Sequence, residues 1–365
     1  CWGMGLTQHK HSVHTIQLLS NVMMMRGNIG RPGAGLMPVR GHSNVQGDRT
    51  MGIEEQPDDA FLDRLGATFG FEPPRHHGQD VVAAIGAMLE GKVKVFVGLG
   101  GNFSIATPDT PRTWQALRQC DLTVNIATKL NRSHLVHGAV SYVLPCLSRI
   151  EIDQRASGPQ AVSMEDSTGC FHGSRGVADP AAPDLLSEQQ IVAGIADATL
   201  GAGNHVDWSA WANDYALVRH AIEETYPDIF AGLNDRMWQP GGFRRPMPVA
   251  ERQWKTKSGK AEFFTPTSLM EDPDAPETGP DTLRLFTLRS DNQFNTTVYS
   301  LDDRFRGIKG SRMVVLMNTG DIARLGLSAQ GAMFARPAHL KTRENHLRAG
   351  GANIKPHGNQ RHAFK

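Results

Sequence analysis

The sequence lacks the long apolar run, the leader pattern and the charge excess that would assign it to a class at once. It contains no stretch of about 18 or more apolar residues, and its opening does not have the pattern of a signal peptide. Its 38 basic and 37 acidic side chains leave a formal net charge of +1. A field that weak does not favour nucleic acid or an anionic membrane surface as a partner. We therefore expect a cytoplasmic protein with no membrane span and no nucleic-acid partner.

Cysteine is equally scarce, with four residues in the whole chain. The closest pair, Cys146 and Cys170, is 24 positions apart, whereas zinc and iron–sulfur sites are normally built on close pairs. The sequence thus predicts no metal ligand in this chain, and thiols that stay reduced. Because the sequence opens on Cys1 rather than Met, we expect it to be an N-terminally incomplete segment of a longer protein.

The middle of the sequence alternates between β-branched runs and amphipathic stretches. Strands separated by helices of this length predict a parallel sheet with right-handed crossovers, and hence an α/β fold. We expect the first strand to be buried and to run into a glycine turn. The predicted strands are Val93–Val97, Leu122–Ile126 and Tyr142–Leu144, and the predicted helices are Asp80–Glu90, Pro111–Gln119 and a stretch near 131–139.

Further patterns divide the rest of the chain. A helix is predicted at Ser12–Met25, a capping box at 187–190, and one long helix at 208–225. Residues 30–47 are too rich in glycine and proline for regular structure. A strand at 283–289, a strand at 314–317 and a helix at 319–325 indicate a second domain. The predicted divisions are 1–226 (α/β region with a helical extension), 227–280 (irregular linker), 281–329 (second domain) and 330–365 (a divergent tail left without predicted structure).

The glycine turn is the first candidate site. Gly98, Gly100 and Gly101 follow the first predicted strand, where a backbone without side chains lets a pyrophosphate approach. A nicotinamide fingerprint would need a third glycine, where this chain has Phe103, and an acid at the tip of the next strand, where it has Asn125. The turn is therefore better suited to another phosphorylated nucleotide. The alternative is that the polar side chains near Asn125 only cap strand and helix ends.

Several phrases, read together, resemble the molybdopterin oxidoreductases. Three of them occur in close succession near the start, in the order seen in formate dehydrogenases and their relatives. Four more resemble one branch of formate-dehydrogenase-like alpha subunits, the YdeP-like proteins. The first three are Gly5–His9, Arg26–Gly35 and Pro38–Gly47, and the later ones are Val97–Asn102, Thr128–His134, Leu144–Cys146 and Arg289–Thr297.

This resemblance implies a Rossmann-like parallel sheet domain that binds a guanine dinucleotide. It also implies that residues 281–329 begin a C-terminal β-barrel of the double-psi type. The cofactors would be molybdenum bound by two molybdopterin guanine dinucleotides and a [4Fe-4S] cluster held through the missing N-terminal part. The substrate would be a small molecule, with formate suggested only by the family's name, and the electron-transfer partner is unknown.

The resemblance also assigns individual residues. No catalytic residue is expected in this chain, although Arg40 would have an electrostatic role in a loop close to the pterin and the cluster. Arg289, Gln293 and Asn295 would contact the cofactors from the barrel, in the same cleft as Gln8. The remaining cofactor-binding residues would be Gln8, Gly100, Gly101, Asn102, Thr107, Asn125 and Thr128.

The family's N-terminal cysteine motif is absent from this sequence. We therefore expect the 365-residue chain alone to lack formate dehydrogenase activity. Two other interpretations stay open, an NAD-dependent α/β dehydrogenase, which Phe103 and Asn125 disfavour, and an inactive nucleotide-binding remnant. The adjacent acids Glu165 and Asp166 could form a carboxylate pair, but neighbouring side chains point in different directions on most backbones, so we expect separate partners for them.

Overall fold

A computed structural model describes residues 1–7, 11–39, 44–107, 109–201, 205–266, 283, 302–303, 307–310, 314–328, 332–333 and 352–357. The chain forms two units, Cys1–Thr267 and Ser268–Lys365. None of the helices in the described part has the length and apolar character that crossing a membrane requires.

The helices of the described ranges are short and are separated by turns. Two single 3₁₀ turns, Arg132–Leu135 and Pro248–Glu251, accompany the α-helices. The α-helices are α1 (Met4–Thr7), α2 (Ser12–Met25), α3 (Val45–Thr50), α4 (Asp59–Phe69), α5 (Val81–Leu89), α6 (Phe103–Ala106), α7 (Thr110–Arg118), α8 (Glu188–Leu200), α9 (Trp208–Asn213), α10 (Tyr215–Thr225), α11 (Pro227–Phe230), α12 (Leu233–Arg236) and α13 (Thr319–Arg324).

The strands of the same ranges fall into several small sheets, of which three have three strands. The strands are β1 (Val95–Leu99), β2 (Leu122–Ala127), β3 (Val140–Pro145), β4 (Gln154–Arg155), β5 (Gly158–Pro159), β6 (Val162–Glu165), β7 (Cys170–Ser174), β8 (Phe243–Arg244), β9 (Asp302–Asp303), β10 (Ile308–Lys309), β11 (Val314–Asn318), β12 (Ala332–Met333) and β13 (Ala352–His357).

The first three strands form the predicted parallel sheet, in the order β1-β2-β3. The register pairs Val97 with Val124, and Val124 with Tyr142. Parallel strands need a connection that crosses the sheet, and α6 with α7 provides it between β1 and β2. The α/β class and the parallel sheet predicted from the sequence are therefore confirmed.

One face of this sheet is covered by α5 and α7. Their buried side chains form one cluster with the partly buried Phe96 of β1 and Phe103 of α6; its fully buried members are Ile85, Met88, Ala116, Leu117, Cys120 and Val136. On the other face, Ile191 of α8 packs against Ile126 and Leu144.

The prediction that β1 is buried is wrong. Every second residue of β1, beginning with Val95, is about half exposed. The physical reason is the position of β1 at the edge of the sheet. The face that carries Val95 is covered by α8 only over the ends of β2 and β3, so α8 does not reach β1. The strand also begins two residues later than Val93 and ends at Leu99.

A second sheet, β6-β7-β8, is antiparallel and was not predicted. Its hairpin turns at Asp166, whose carboxylate accepts hydrogen bonds from the backbone N–H groups of Thr168 and Cys170, and Gly169 takes the left-handed conformation. Its core combines strand residues with side chains from α11 and α12; the buried members are Ala161, Phe171, Phe230, Leu233, Met237 and Phe243.

Two predicted helices are shorter in the structure. The stretch near 131–139 is helical only as the single 3₁₀ turn. The helix predicted at 208–225 is broken at Asp214, which is extended and accepts a hydrogen bond from Ala216 N, so that α9 and α10 are separate. The capping box is confirmed, because Ser187 Oγ accepts from Gln190 N while Gln190 Oε1 accepts from Ser187 N.

The described residues of the second unit include the predicted strand and helix, as β11 and α13, joined by the buried pair Met317 and Ile322. Strand β13 pairs with β11 and with β12. The predicted strand at 283–289 lies outside the described residues apart from Leu283. The β-barrel stays a prediction.

We predict that Gly138→Ala lowers the free energy of unfolding by about 1–3 kcal/mol, the range for overpacked cores. A Cβ at Gly138 would lie 2.1 Å from the backbone oxygen of Cys120, so the loop before β3 would have to move. Urea denaturation measures the change. Gly86→Ala in α5 is the matched control, because its Cβ would meet nothing within 4 Å, and helix propensity should make it neutral or slightly stabilising. Equal stability of the two variants would contradict the clash.

Candidate functional site

The glycine turn lies where the sequence places it, at the carboxyl end of β1. Gly100 and Gly101 have φ angles of 66° and 69°, a left-handed conformation that side chains disfavour. Gly100 N donates to Ile126 O at 2.7 Å, which ties the turn to the end of β2. A Cβ at either glycine would meet nothing within 4 Å. The turn therefore faces open space that a ligand can approach closely.

The loop after β2 holds this turn in place. Asn131 Nδ2 donates to Gly101 O at 2.6 Å. Ser133 Oγ donates to Asn102 Oδ1 at 3.0 Å and accepts from Ser104 N at 2.9 Å. Two consecutive strand ends are thus locked together by side chains, and Asn131 and Ser133 act as positioning residues for the turn.

Asn131 also organises its own loop. Its Oδ1 accepts from Ser133 N at 2.9 Å, and its backbone N–H donates to Nδ1 of His134 at 3.0 Å. The ring of His134 is buried, and in the tautomer assigned by this bond Nδ1 is an acceptor. His134 therefore stabilises the loop through a hydrogen bond.

The turn is continuous with the core of the sheet. Phe103 packs against Phe96, with ring centroids 4.9 Å apart and ring planes tilted by 47°. Trp114 Nε1 of α7 donates to Ser104 O at 2.9 Å. Thr107 Oγ1 lies 3.0 Å from Phe103 O and 2.9 Å from Thr113 Oγ1, so its hydroxyl already has partners within the protein.

Asn125 lies inside β2, two residues before its end, rather than at the tip. It pairs with Gly98, and a Cβ at Gly98 would lie 3.2 Å from Asn125 Oδ1, so the glycine makes room for the amide. The side chain is buried, and in the part of the chain that the structure describes it makes no hydrogen bond. Thr128 follows β2 and is exposed.

Five of the predicted site residues lie outside the described residues. They are Gln8, Arg40, Arg289, Gln293 and Asn295. Of the remaining six, Gly100, Gly101 and Asn102 lie on the turn, and Thr107 directly follows α6. Asn125 lies on β2, and Thr128 directly follows it.

The described end of the 40–47 loop is anchored to the second sheet. Asn44 is left-handed, its N–H donates to Glu165 O at 2.8 Å, and its Oδ1 accepts from Glu165 N at 3.1 Å. From Val45 the chain forms α3, so the expectation of irregular structure up to residue 47 is wrong for the last three positions. The helix begins there because Asn44 makes the turn and brings Gln46 into the interior.

A cavity of about 410 Å³ opens beside α3, and the sequence analysis missed it. Phe61 and Tyr226 form an apolar wall, and the lining includes three arginines, Arg49, Arg64 and Arg245. Arg49 pairs with Glu54 and Glu55, whereas the guanidinium of Arg64 lies 5.5 Å from the ring centroid of Tyr226. Burial raises the pKa of Tyr226 to about 12, so its hydroxyl stays a donor at neutral pH.

Two buried polar groups adjoin this cavity. Gln46 Nε2 donates to Asp166 O at 3.4 Å, but its buried Oε1 has no hydrogen-bond partner among the described residues. Glu165 Oε2 accepts from Thr50 Oγ1 at 2.5 Å, and its Oε1 lies 3.8 Å from Arg245 Nη1. Unsatisfied buried acceptors are uncommon and costly. The cavity can therefore accept a ligand that carries a hydrogen-bond donor.

Glu165 and Asp166 do not form a carboxylate pair, as expected. Asp166 Oδ2 contacts His172 Nε2 at 2.8 Å, away from Thr50. Burial by itself would raise the pKa of Asp166, but hydrogen bonds from Thr168, Cys170 and His172 hold it well below its usual value.

The cysteines are described as free thiols, and burial raises the pKa of Cys120 and Cys146. A raised pKa keeps a thiol protonated, and the thiolate is the form that binds metals. No group of three or more His, Cys, Asp or Glu in the described ranges has a geometry that could hold a metal ion.

No protein-family model matches the chain. It is 50% identical over 331 residues to "Uncharacterized oxidoreductase Rv2900c" of Mycobacterium tuberculosis (strain ATCC 25618 / H37Rv), covering 90% of this chain and 42% of that protein. It is 48% identical over 318 residues to "Protein YdeP" of Escherichia coli (strain K12), covering 87% and 41%.

A more distant relative carries a more specific name. The chain is 30% identical over 156 residues to "Putative formate dehydrogenase YrhE" of Bacillus subtilis (strain 168), covering 40% of this chain and 16% of that protein. The chain is thus a homologue of proteins named as oxidoreductases, and it spans about two fifths of the length of the two relatives with the higher identity.

We predict that Ser133→Ala destabilises the protein by about 1–3 kcal/mol, because Ser104 N and Asn102 Oδ1 would lose their buried partner. Chemical denaturation measures this, and faster hydrogen exchange of the backbone amides from 101 to 104 would localise it. Ser209→Ala on the exposed surface of α9 is the control and should change neither. If exchange at the turn is unchanged in Ser133→Ala, the serine does not hold it.

The depressed pKa of Asp166 predicts a pH dependence of stability. Since its folded pKa lies below the unfolded value of about 3.9, its contribution is present above about pH 4 and is lost as the pH falls through the folded value. Asp166→Asn should be less stable at pH 6 and should lose less stability below pH 4. Thr168→Val, which removes one hydrogen bond to the same carboxylate, should be intermediate. Thermal unfolding across pH 2–7 measures this, and identical slopes would disprove it.

Proposed function

We propose that this chain forms the guanine-dinucleotide-binding part of a molybdenum oxidoreductase that resembles formate dehydrogenase and acts in the cytoplasm. Its cofactors are molybdenum with two molybdopterin guanine dinucleotides and a [4Fe-4S] cluster that passes electrons. The observation that carries the proposal is the left-handed turn of Gly100 and Gly101, open to a ligand at the carboxyl end of a parallel strand.

The residues around the turn have the chemistry that a pyrophosphate and a guanine require. Two glycines in succession leave space that a Cβ would fill, so the backbone can approach phosphate oxygens directly. Thr128, exposed at the end of β2, offers a hydroxyl. The amide of Asn125 can both donate and accept, as the edge of guanine demands, and it has no partner in the described part of the chain.

The cavity beside α3 supports a second contact with an anionic cofactor through Arg64, because Arg49 and Arg245 already face carboxylates. Arg64 and Arg245 lie on its lining, beside α3, which begins at Val45. Arginine is well suited to phosphate because its guanidinium offers two parallel donors. Arg40 would add positive charge close to the pterin and stabilise negative charge during electron transfer.

When bound, the molybdenum centre supplies the oxidation–reduction chemistry of the substrate. The part of this protein is to bind and orient the dinucleotides through the turn and the strand ends. Gln8, Asn102 and Thr107 would contribute to the same dinucleotide surface, and Arg289, Gln293 and Asn295 would contact the cofactors from the C-terminal barrel. Formate, as a small carboxylate, is the proposed substrate, and the electron acceptor is a separate partner.

A nicotinamide cofactor is disfavoured on two counts. The position at which a nicotinamide fingerprint needs its third glycine is occupied by Phe103, which packs on Phe96 in the core. Asn125 replaces the acid that would bind a ribose hydroxyl, and it lies within the strand.

Guanosine diphosphate, which carries a guanine and a pyrophosphate, is the probe for the site. Calorimetry of the 365-residue chain should show binding of GDP in preference to NAD, and Gly100→Val should weaken it at least tenfold. Gly91→Val is the matched control, since Gly91 has the same left-handed φ and an equally open surrounding but lies before β1. It should bind GDP as the unchanged chain does.

The proposal fails if NAD binds more tightly than GDP, or if Gly100→Val and Gly91→Val behave alike. The metal is tested in a full-length relative such as YdeP. Purified from a molybdenum-replete host, it should contain molybdenum by mass spectrometry and release a fluorescent pterin on oxidation. Absence of both would leave only a nucleotide-binding role for this chain.

A further inference from the structure

One face of the sheet β1-β2-β3 exposes apolar side chains to solvent. On β1, Val95, Val97 and Leu99 are 51%, 49% and 51% exposed, and on β3, Val140 and Tyr142 are 49% and 57% exposed. The register places them on one face, because partners across parallel strands point the same way. We call these five residues the open sheet face.

The open sheet face contrasts with its surroundings. The opposite face of β1 is covered, since Phe96 packs against the cluster of α5 and α7. On the same side as the open sheet face, α8 covers β2 and β3 where Ile191 meets Ile126 and Leu144. The cover therefore stops partway across the sheet, leaving β1 and the first half of β3 bare.

The composition of the open sheet face argues against a solvated role. The strand face that stays in water normally carries polar or charged residues. All five positions of the open sheet face are instead aliphatic or aromatic. Parallel sheets occur almost only with both faces covered, and contiguous apolar patches on a surface mark contact sites. The space beside α8 suits one helix, since three strands span about 10 Å and packed helices lie about 8–10 Å apart.

The relatives have sequence outside the matched segment that could supply such a helix. The relatives related over 331 residues are more than twice as long as the matched segment, which makes up 42% of their length. We propose that the open sheet face binds the apolar side of a helix from the part of these full-length relatives that lies outside the matched segment. In the assembled protein this helix packs beside α8 and completes the two-sided cover of the sheet.

Cysteine labelling tests this without relying on activity. Val97→Cys is introduced into this chain and, at the aligned position, into the full-length Mycobacterium relative, and the rate of maleimide modification is compared with the rate in urea. In this chain the thiol should react about as fast as Val177→Cys, a control at a position that is 85% exposed and away from the sheet. In the full-length relative it should react at least a hundredfold more slowly. Peptide mapping separates the probe from the native cysteines.

Tyr142→Cys on β3 gives an independent probe of the same face should the first variant fold poorly. The proposal is overturned if the probes in the full-length relative react as fast as in this chain, because the face is then open there too. It is also overturned if the probes in this chain react slowly and become slower with protein concentration. That result would mean that a second copy of the chain covers the face, which sedimentation would show as a dimer.

Discussion

The bonds between the loop after β2 and the turn after β1 are the constraint on which the candidate site depends. Two adjacent left-handed glycines have no side chains to fix their position, so the turn gains its shape from Asn131 and Ser133. Those residues are fixed in turn by their own capping bonds and by the buried ring of His134. A flexible backbone is thereby made into a rigid surface without any atom in the space where a ligand approaches.

The sequence predicted the parts of the fold that depend on local pattern. The three parallel strands, α2, α5, α7 and the capping box at Ser187 follow from periodicity and end signals that lie within a few residues of one another. The glycine turn was predicted for the same reason, because a strand followed by Gly100 and Gly101 is a local signal. The turn lies at the carboxyl end of a parallel strand, where α/β proteins bind ligands, and this position suggests its candidate function.

What the sequence did not predict depends on distant contacts. The cavity beside α3 brings together Gln46 and Arg245, which are almost 200 residues apart in the sequence. No local sequence pattern predicts such a contact. The hairpin of β6 and β7 did have a signal, the Asp166-Ser167-Thr168-Gly169 turn, which was overlooked. Burial of β1 was wrongly predicted because a strand rich in β-branched residues has the same sequence pattern whether or not a second layer covers it.

The packing of Phe103 against Phe96 has an optical consequence. Phe103 occupies the position at which a more open turn would have glycine, so the turn is coupled to the core. Trp114 belongs to the same core cluster, and its Nε1 donates a hydrogen bond to Ser104 O. A displacement of the turn changes the environment of that indole at once. One of the six tryptophans of the protein, Trp114, thus lies next to its own candidate binding surface and can serve there as an intrinsic fluorescent reporter.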